Sequence, residues 1–151
     1  NSEKNFFRNR NEKLEHMNDQ SLTTLLKSFK PHKRYLRGIH LNLKNTNISD
    51  QGVSKLIDSI NHCPQLTSLG LDLGQLELNN EIIAKLTASI EKKEYLASLA
   101  IGFHKSNSID NETISKVIDM IGKKKRRPSF IIGLLSSIPK SGRMNSMWTI
   151  R

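Results

Sequence analysis

The chain has 151 residues and a formal net charge of +10, with 36% hydrophobic and 5% aromatic residues. This length predicts a single domain, and the composition is that of a folding chain with an aliphatic core. No apolar run approaches a membrane span, and Cys63 as the sole cysteine excludes an internal disulfide. We therefore expect an intracellular, cytoplasmic protein, with a nuclear or organellar assembly as an alternative.

Four segments have apolar residues spaced by three, four and seven positions, which predicts amphipathic helices. A residue that can accept a first-turn N–H precedes each segment, and we predict as N-caps Asp19, Asp50, Asn80 and Asp110 or Asn111. The four apolar faces contain Leu22, Leu25, Leu26 and Phe29; Val53, Leu56, Ile57 and Ile60; Ile83, Leu86 and Ile90; and Ile114, Val117, Ile118 and Ile121.

Between the helices, one pattern of four apolar positions occurs three times at a spacing of thirty residues. Its period-2 alternation is typical of a strand with one buried face. A fourth strand is predicted at Phe130, Ile132 and Leu134, which follow Ile121 at the offsets seen in the earlier units. The three complete copies are Leu36, Ile39, Leu41 and Leu43; Leu66, Leu69, Leu71 and Leu73; and Leu96, Leu99, Ile101 and Phe103.

This pattern resembles the leucine-rich repeats of the ribonuclease-inhibitor subclass, in which L-x-x-L-x-L-x-x-N-x-L is followed by a helix. The resemblance covers roughly Asp19 to Leu134, and it departs from the family at the turn after each strand. There the family's asparagine has no fixed place, and the candidates are Asn45 or Asn47, Gln75 and Asn107. The resemblance implies an α/β solenoid with a short parallel sheet on the concave side and helices on the convex side. We predict an N-terminal extension over 1–18, the repeats over 19–135 and a C-terminal tail over 136–151.

In such a solenoid, the residues between the core leucines point outward from the concave sheet, where a partner would bind. Three of these six residues are glycine or alanine, and none is an aromatic anchor of the kind that dominates tight interfaces. The predicted concave partner-binding residues are His40, Asn42, Gly70, Asp72, Ala100 and Gly102.

The sequence contains no pattern that indicates catalysis, so we expect no enzymatic activity, no cofactor and no metal. The five histidines form no H-E-x-x-H or comparable spacing, and no CxxC pair is present. His62 next to Cys63 could form a base and thiol pair, but neighbours in sequence usually point apart, so we interpret Cys63 as a partly buried packing residue.

Basic residues recur in the loop between each helix and the next strand, and they are densest after the fourth helix. Stacked loops would form a basic edge suited to a polyanion such as RNA, although cations also favour helix C-termini for structural reasons. This basic strip consists of Lys123, Lys124, Lys125, Arg126 and Arg127.

Two further features lie beyond the strip. Ser129 follows two arginines as in sites of basophilic kinases, but it would be poorly available if the fourth strand is paired. Trp148 is the sole tryptophan, and it could anchor the tail in a partner's pocket or fold back over the last repeat.

These features favour a non-catalytic protein–protein interaction or scaffold subunit of a larger assembly. One alternative is a nucleic-acid-associated subunit of a ribonucleoprotein that uses the basic edge and tail. Another is a fragment of a larger signalling protein.

Overall fold

The computed structural model describes residues 17–103, 110–124, 129–134 and 147–150. The chain is a mixed α/β protein in which helices and strands alternate. In chain order, the elements are α1 (Asp19–Phe29), β1 (Gly38–Asn42), α2 (Asp50–Asn61), β2 (Ser68–Asp72), α3 (Asn80–Glu91), β3 (Ser98–Phe103), α4 (Asn111–Lys123), β4 (Ser129–Leu134) and β5 (Met147–Ile150).

The strands form one sheet in the order β1-β2-β3-β4-β5. The first four run parallel, and the register places Ile39 opposite Leu69 and Leu69 opposite Leu99, so each unit repeats the pairing of the one before it. The fourth strand, predicted from the offsets after Ile121, is confirmed by the parallel pairing of Phe130 with Leu99. The repeat period of the sequence is therefore also the period of the sheet.

The core lies between the sheet and the row of helices. Each helix contacts the next, from α1 to α4, and the apolar positions predicted for the helices and the strands together supply most of the buried side chains. Burial is complete in the second unit, where Val53, Leu56, Ile57 and Ile60 have no exposed surface. In the first and last helices Leu25 and Ile118 are only partly buried, because an end helix has one packed neighbour fewer than a central one.

Each helix begins at a side-chain cap, but three of the four predicted cap positions are wrong by one residue. The caps are Asn18, Ser49 and Asn79, which accept hydrogen bonds from Ser21, Gly52 and Ile82 respectively. The cap of α4 is Asp110, which confirms one of the two alternatives predicted for this helix. The predicted residues Asp19, Asp50 and Asn80 are instead the first helical residues, where an acid also suits the positive end of the helix dipole.

The turns after β1 and β2 each contain a residue in the left-handed conformation. Asn45 has φ 60° and Gln75 has φ 63°, and both occupy the same place in successive units. The backbone N–H of Leu43 donates to Asp72 and that of Leu73 donates to Gly102, so the turns continue the sheet's hydrogen bonding. The third candidate, Asn107, lies outside the described residues.

The C-terminal segment contributes an edge strand, so its end is not the extended tail that the sequence predicted. β5 runs antiparallel to β4, with Trp148 opposite Ile132 and Thr149 opposite Ile131. The role of Trp148 in anchoring the tail to a partner stays a prediction. At the other terminus Met17 packs against the core and Asn18 bridges to Asn47, whereas residues 1–16 lie outside the described part.

Candidate interaction surfaces

The open face of the sheet carries the six predicted partner-binding residues, and they differ in exposure. His40 and Asn42 on β1 are exposed, whereas Asp72, Ala100 and Gly102 are half-buried. Gly70 lies on the same face but is buried against the ring of His40. Among these six positions, the exposed side chains are therefore those of β1.

The glycines of this face accommodate side chains from the preceding strand. A Cβ atom on Gly70 would lie 2.5 Å from Nδ1 of His40, whose Nε2 is 2.8 Å from Ser68 Oγ. A Cβ on Gly102 would lie 2.9 Å from Oδ1 of Asp72. The small residues thus have a role within the sheet, because they let His40 and Asp72 lie flat across the neighbouring strand.

At the N-terminal ends of the helices, polar side chains join each unit to the next. Asp19 accepts hydrogen bonds from the backbone N–H of Ser49 at 2.9 Å and from its hydroxyl at 2.5 Å. Equivalent hydrogen bonds join the later units. The side-chain amide of Asn79 donates to Asp50 in the unit before it, and that of Asn80 donates to Asp110 in the unit after it. We call this set the cap edge, and it consists of Asp19, Ser49, Asp50, Asn79, Asn80 and Asp110.

At the C-terminal ends of the helices, lysines perform the equivalent function. The ammonium of Lys93 donates to the carbonyls of Ile60 at 2.5 Å and Cys63 at 3.1 Å, one unit back along the chain. Lys124 reaches back in the same way to the carbonyls of Ile90 and Glu91, both at 3.0 Å. These lysines neutralise the negative ends of α2 and α3, and we call this side of the molecule the lysine edge.

Burial shifts the pKa of three groups on the lysine edge, and it lowers that of Lys124 as it does that of Lys93. Lys93 is only 4% exposed, and removal of its charge from water lowers its pKa. Burial raises the pKa of the Cys63 thiol, which nearby Lys93 partly offsets. The thiol donates to the Ser59 carbonyl, while Nδ1 of His62 lies 2.6 Å from the Asp58 carbonyl. Their separate partners are consistent with Cys63 as a packing residue.

Sequence reasoning missed the role of Lys93 and Lys124, although a signal was present. Lys33, Cys63, Lys93 and Lys124 occupy the same position in successive units. Cys63 is the least polar of the four, and the buried Leu66 follows it by three residues. The repeat position shared by these four residues could therefore have been identified as partly internal.

The predicted basic strip divides between structural and exposed groups. Lys123 is exposed, Lys124 is half-buried against α3, and the residues 125–128 lie outside the described part of the chain. Ser129 is the first residue of β4 and lies opposite Ser98. The kinase-site hypothesis for Ser129 therefore conflicts with the paired strand, as the sequence had indicated.

Two exposed aromatic residues were not singled out by sequence reasoning. Tyr35 is 76% exposed and Tyr95 is 55% exposed, and both directly precede the first buried leucine of a unit. A surface pocket of about 420 Å³ adjoins Tyr95 and is lined also by Asn61, Pro64, Lys92, Lys93 and Glu94. A sequence signal for them exists, because both tyrosines stand at the same position of the thirty-residue repeat, which Gln65 occupies in the second unit.

Within the described ranges, no group of three or more His, Cys, Asp or Glu side chains is placed to hold a metal ion. The helices in those ranges also lack the combination of length and hydropathy that crossing a membrane requires.

Comparison with known proteins identifies a fold and no family. No family model and no curated protein matches the sequence. Among solved structures, the chain is similar to one described as Leiomodin-1 Actin-Binding Site 2, with a TM-score of 0.57 and 12% identity over 85% of this chain and 74% of that one. At this identity the likeness shows a shared arrangement of helices and strands.

Proposed function

We propose that the chain is a short leucine-rich-repeat solenoid that works as a non-catalytic protein-interaction or scaffold subunit of a larger assembly inside the cell. The solenoid is supported by successive strand pairing in one register and by side chains that join each unit to its neighbour at both ends of the helices. Units that contact only their neighbours leave a continuous surface for a partner.

The observation that carries this proposal is the asymmetry of the sheet. One face of β1 and β2 is buried in the core through Ile39, Leu41, Leu69 and Leu71, whereas the opposite face presents the exposed side chains of His40 and Asn42. A sheet with one buried and one solvated face, built from stacked repeats, typically binds a partner on the solvated side.

The similar leiomodin structure supports protein binding in general terms. Its description names an actin-binding site, so an arrangement of this kind can serve as a protein-binding surface. Actin is accordingly one partner to test on this chain, together with partners recovered from cells.

The test compares the sheet face with the basic strip by point substitution, because truncation after α4 would remove β4 and uncover β3. Tagged chains are expressed in their own cells, and the recovered proteins are quantified by mass spectrometry. Our proposal predicts that His40→Ala with Asn42→Ala lowers partner recovery by about tenfold, equivalent to about 1.4 kcal/mol of binding free energy.

The matched control is Gln51→Ala with Lys55→Ala, two exposed positions on α2, which should leave recovery unchanged. Equal recovery from the sheet-face variant and the wild type would overturn the proposal. Loss of partners upon nuclease treatment and upon Lys125, Arg126 and Arg127→Gln would support the ribonucleoprotein alternative in its place. Recovery of only a larger product of the same gene would support the signalling-fragment alternative.

A further inference from the structure

Over residues 17–102 and 110–124, the large hydrophobic residues that are exposed are Tyr35 and Tyr95. They lie in the same position of the first and third units, each immediately before a fully or nearly fully buried leucine. Tyrosine is enriched at the energetic centres of protein interfaces because it combines a large apolar ring with a hydroxyl. Two tyrosines at one repeat position therefore define a candidate docking edge.

Backbone pairing fixes the spacing of the two tyrosines along this edge. The N–H of Thr67 donates to the Arg37 carbonyl, and the N–H of Ala97 donates to the Thr67 carbonyl, so the three strand entries lie side by side. Tyr35 and Tyr95 each precede their strand entry by two residues. With adjacent strands about 4.8 Å apart, the tyrosine positions are roughly 9.6 Å apart.

A surface pocket of mixed polar and apolar lining adjoins Tyr95 on the side of the preceding unit. The pocket beside Tyr95 places that ring together with Pro64 of the preceding unit, and Lys92 and Glu94 stand at its rim. At the opposite end Tyr35 is flanked in sequence by exposed Arg34 and Arg37. The edge thus has a basic end at Tyr35 and an end of mixed charge at Tyr95.

We propose that this edge binds a proline-rich segment of a partner in the polyproline II conformation, with an acidic residue directed towards Arg34 and Arg37. Polyproline II advances about 9.3 Å per turn of three residues, which matches the spacing of the tyrosines. Such segments bind aromatic-lined grooves at low entropic cost because their conformation exists before binding. This inference rests on the proposed protein-binding function, but it uses an edge separate from the sheet face.

The charges on the edge favour a protein segment over a nucleic acid. Tyrosines among basic residues can also stack on single-stranded bases, but Glu91 and Glu94 are exposed beside Tyr95 and would repel a phosphate backbone, a repulsion that the exposed Lys92 offsets in part. A peptide with an acidic residue at one end and neutral prolines at the other avoids that repulsion.

The test measures fluorescence anisotropy of labelled peptides with the full chain. The probe is a twelve-residue peptide design that has proline at every third position and two glutamates at one end. We expect Tyr35→Ala and Tyr95→Ala each to weaken binding by about tenfold, since each removes one of two ring contacts. Gln51→Ala is the control, because Gln51 is exposed at the opposite end of α2 and should change the affinity less than twofold. Far-ultraviolet circular dichroism and the urea midpoint of each variant verify that it folds.

Two comparisons make the result specific. Replacement of the prolines by glycine should abolish binding, and moving the glutamates to the opposite end should weaken it several-fold. Failure of the proline peptide to bind at millimolar concentration, or equal binding of the glycine peptide, would overturn the inference. Tighter binding of a thymidine oligonucleotide that both tyrosine substitutions weaken would also overturn it in favour of single-stranded nucleic acid. In each case the sheet-face variant still tests the proposed function separately.

Discussion

The two ends of the helices join neighbouring units by opposite chemistry. At the cap edge, Asp19 accepts from Ser49, and Ser49 in turn accepts from the first-turn N–H of Gly52. However, Oδ1 of Asp50 and of Asn80 are buried there without a partner in the described part of the chain. At the lysine edge, Lys93 and Lys124 cover the last carbonyls of the preceding helix. The helix dipole explains the division, because its positive end favours acceptors and its negative end favours cations.

The two edges differ in how far their groups are removed from water. Ser49 and Asp110 on the cap edge remain exposed, whereas Lys93 is almost completely buried. A hydrogen bond that involves a charged group contributes more than one between neutral groups, and its loss inside the protein is more costly. We therefore expect the lysine edge to be the more sensitive of the two to substitution.

The largest effect is expected from Lys93→Ala. This substitution removes two hydrogen bonds from a charged donor together with the packing of the lysine stem, and it should lower the free energy of unfolding by about 2 kcal/mol. The urea midpoint measures the change. Lys92→Ala, at the exposed neighbouring position, should stay within about 0.5 kcal/mol of the wild type. Equal effects of the two substitutions would show that the contacts of Lys93 with the preceding unit do not stabilise the fold.

The cap edge is tested by Gly52→Ala, for which a smaller loss of about 1 kcal/mol is expected. A Cβ atom at Gly52 would lie 2.2 Å from Asp19 Oδ1 and 2.8 Å from the Cγ2 of Ile48, so it would displace the carboxylate from Ser49. The better helix propensity of alanine, about 1 kcal/mol, offsets part of the cost.

Gly122→Ala is the matched control for Gly52→Ala, since a Cβ at Gly122 meets nothing within 4 Å. It should raise the thermal midpoint through helix propensity alone. A rise in the midpoint for both glycine variants would contradict the role of Gly52 at the cap edge.

A smaller effect on the free energy of unfolding is expected at the two left-handed turn residues, where one substitution should raise it and the reciprocal substitution should lower it. Gln75 has a left-handed backbone conformation that asparagine tolerates better. Gln75→Asn should therefore raise the free energy of unfolding by about 0.5 kcal/mol, and the reciprocal Asn45→Gln should lower it by a similar amount. Changes of the same sign in the two variants would show that backbone conformation does not control these turns.

The smallest effect is a pH dependence of the lysine edge. Burial lowers the pKa of Lys93 in the folded chain. At a pH between this folded pKa and the usual lysine pKa, Lys93 is therefore protonated in the unfolded chain but not in the folded chain. Stability rises with pH wherever the unfolded state binds more protons. The difference in unfolding free energy between the wild type and Lys93→Ala should consequently increase from neutral pH towards the usual lysine value. A difference that falls over this range would contradict the burial of the charge.

Much of the fold follows from local patterns in the sequence. Spacing predicted all four helices and the strands β1 to β4, because each buries one regular face such as Val53 to Ile60. The cap positions were displaced by one because Ser49 and Asp50 are both suitable at a helix start, and only the three-dimensional position of Asp19 distinguishes them. β5 could not be predicted, since its strand arises from long-range pairing with β4 and its sequence has no period.

The surfaces were less predictable because each depends on a neighbouring unit. The burial of Lys93 depends on the carbonyls of Ile60 and Cys63, which lie thirty residues or more away. Likewise, Gly70 is buried because the ring of His40 lies against it. Charge and residue size alone assign Lys93 and Gly70 to solvent, whereas contact with the preceding unit places both inside.

Native-state hydrogen exchange most directly tests the claim that the two edges make the units unfold together. The amides of Leu43 and Leu73 donate to successive strands and therefore report on neighbouring units. We expect the opening free energy of both amides to equal the free energy of global unfolding, and we expect Lys93→Ala to lower both opening free energies by the same amount. Different opening free energies for the two amides, with Leu43 unaffected by Lys93→Ala, would contradict it.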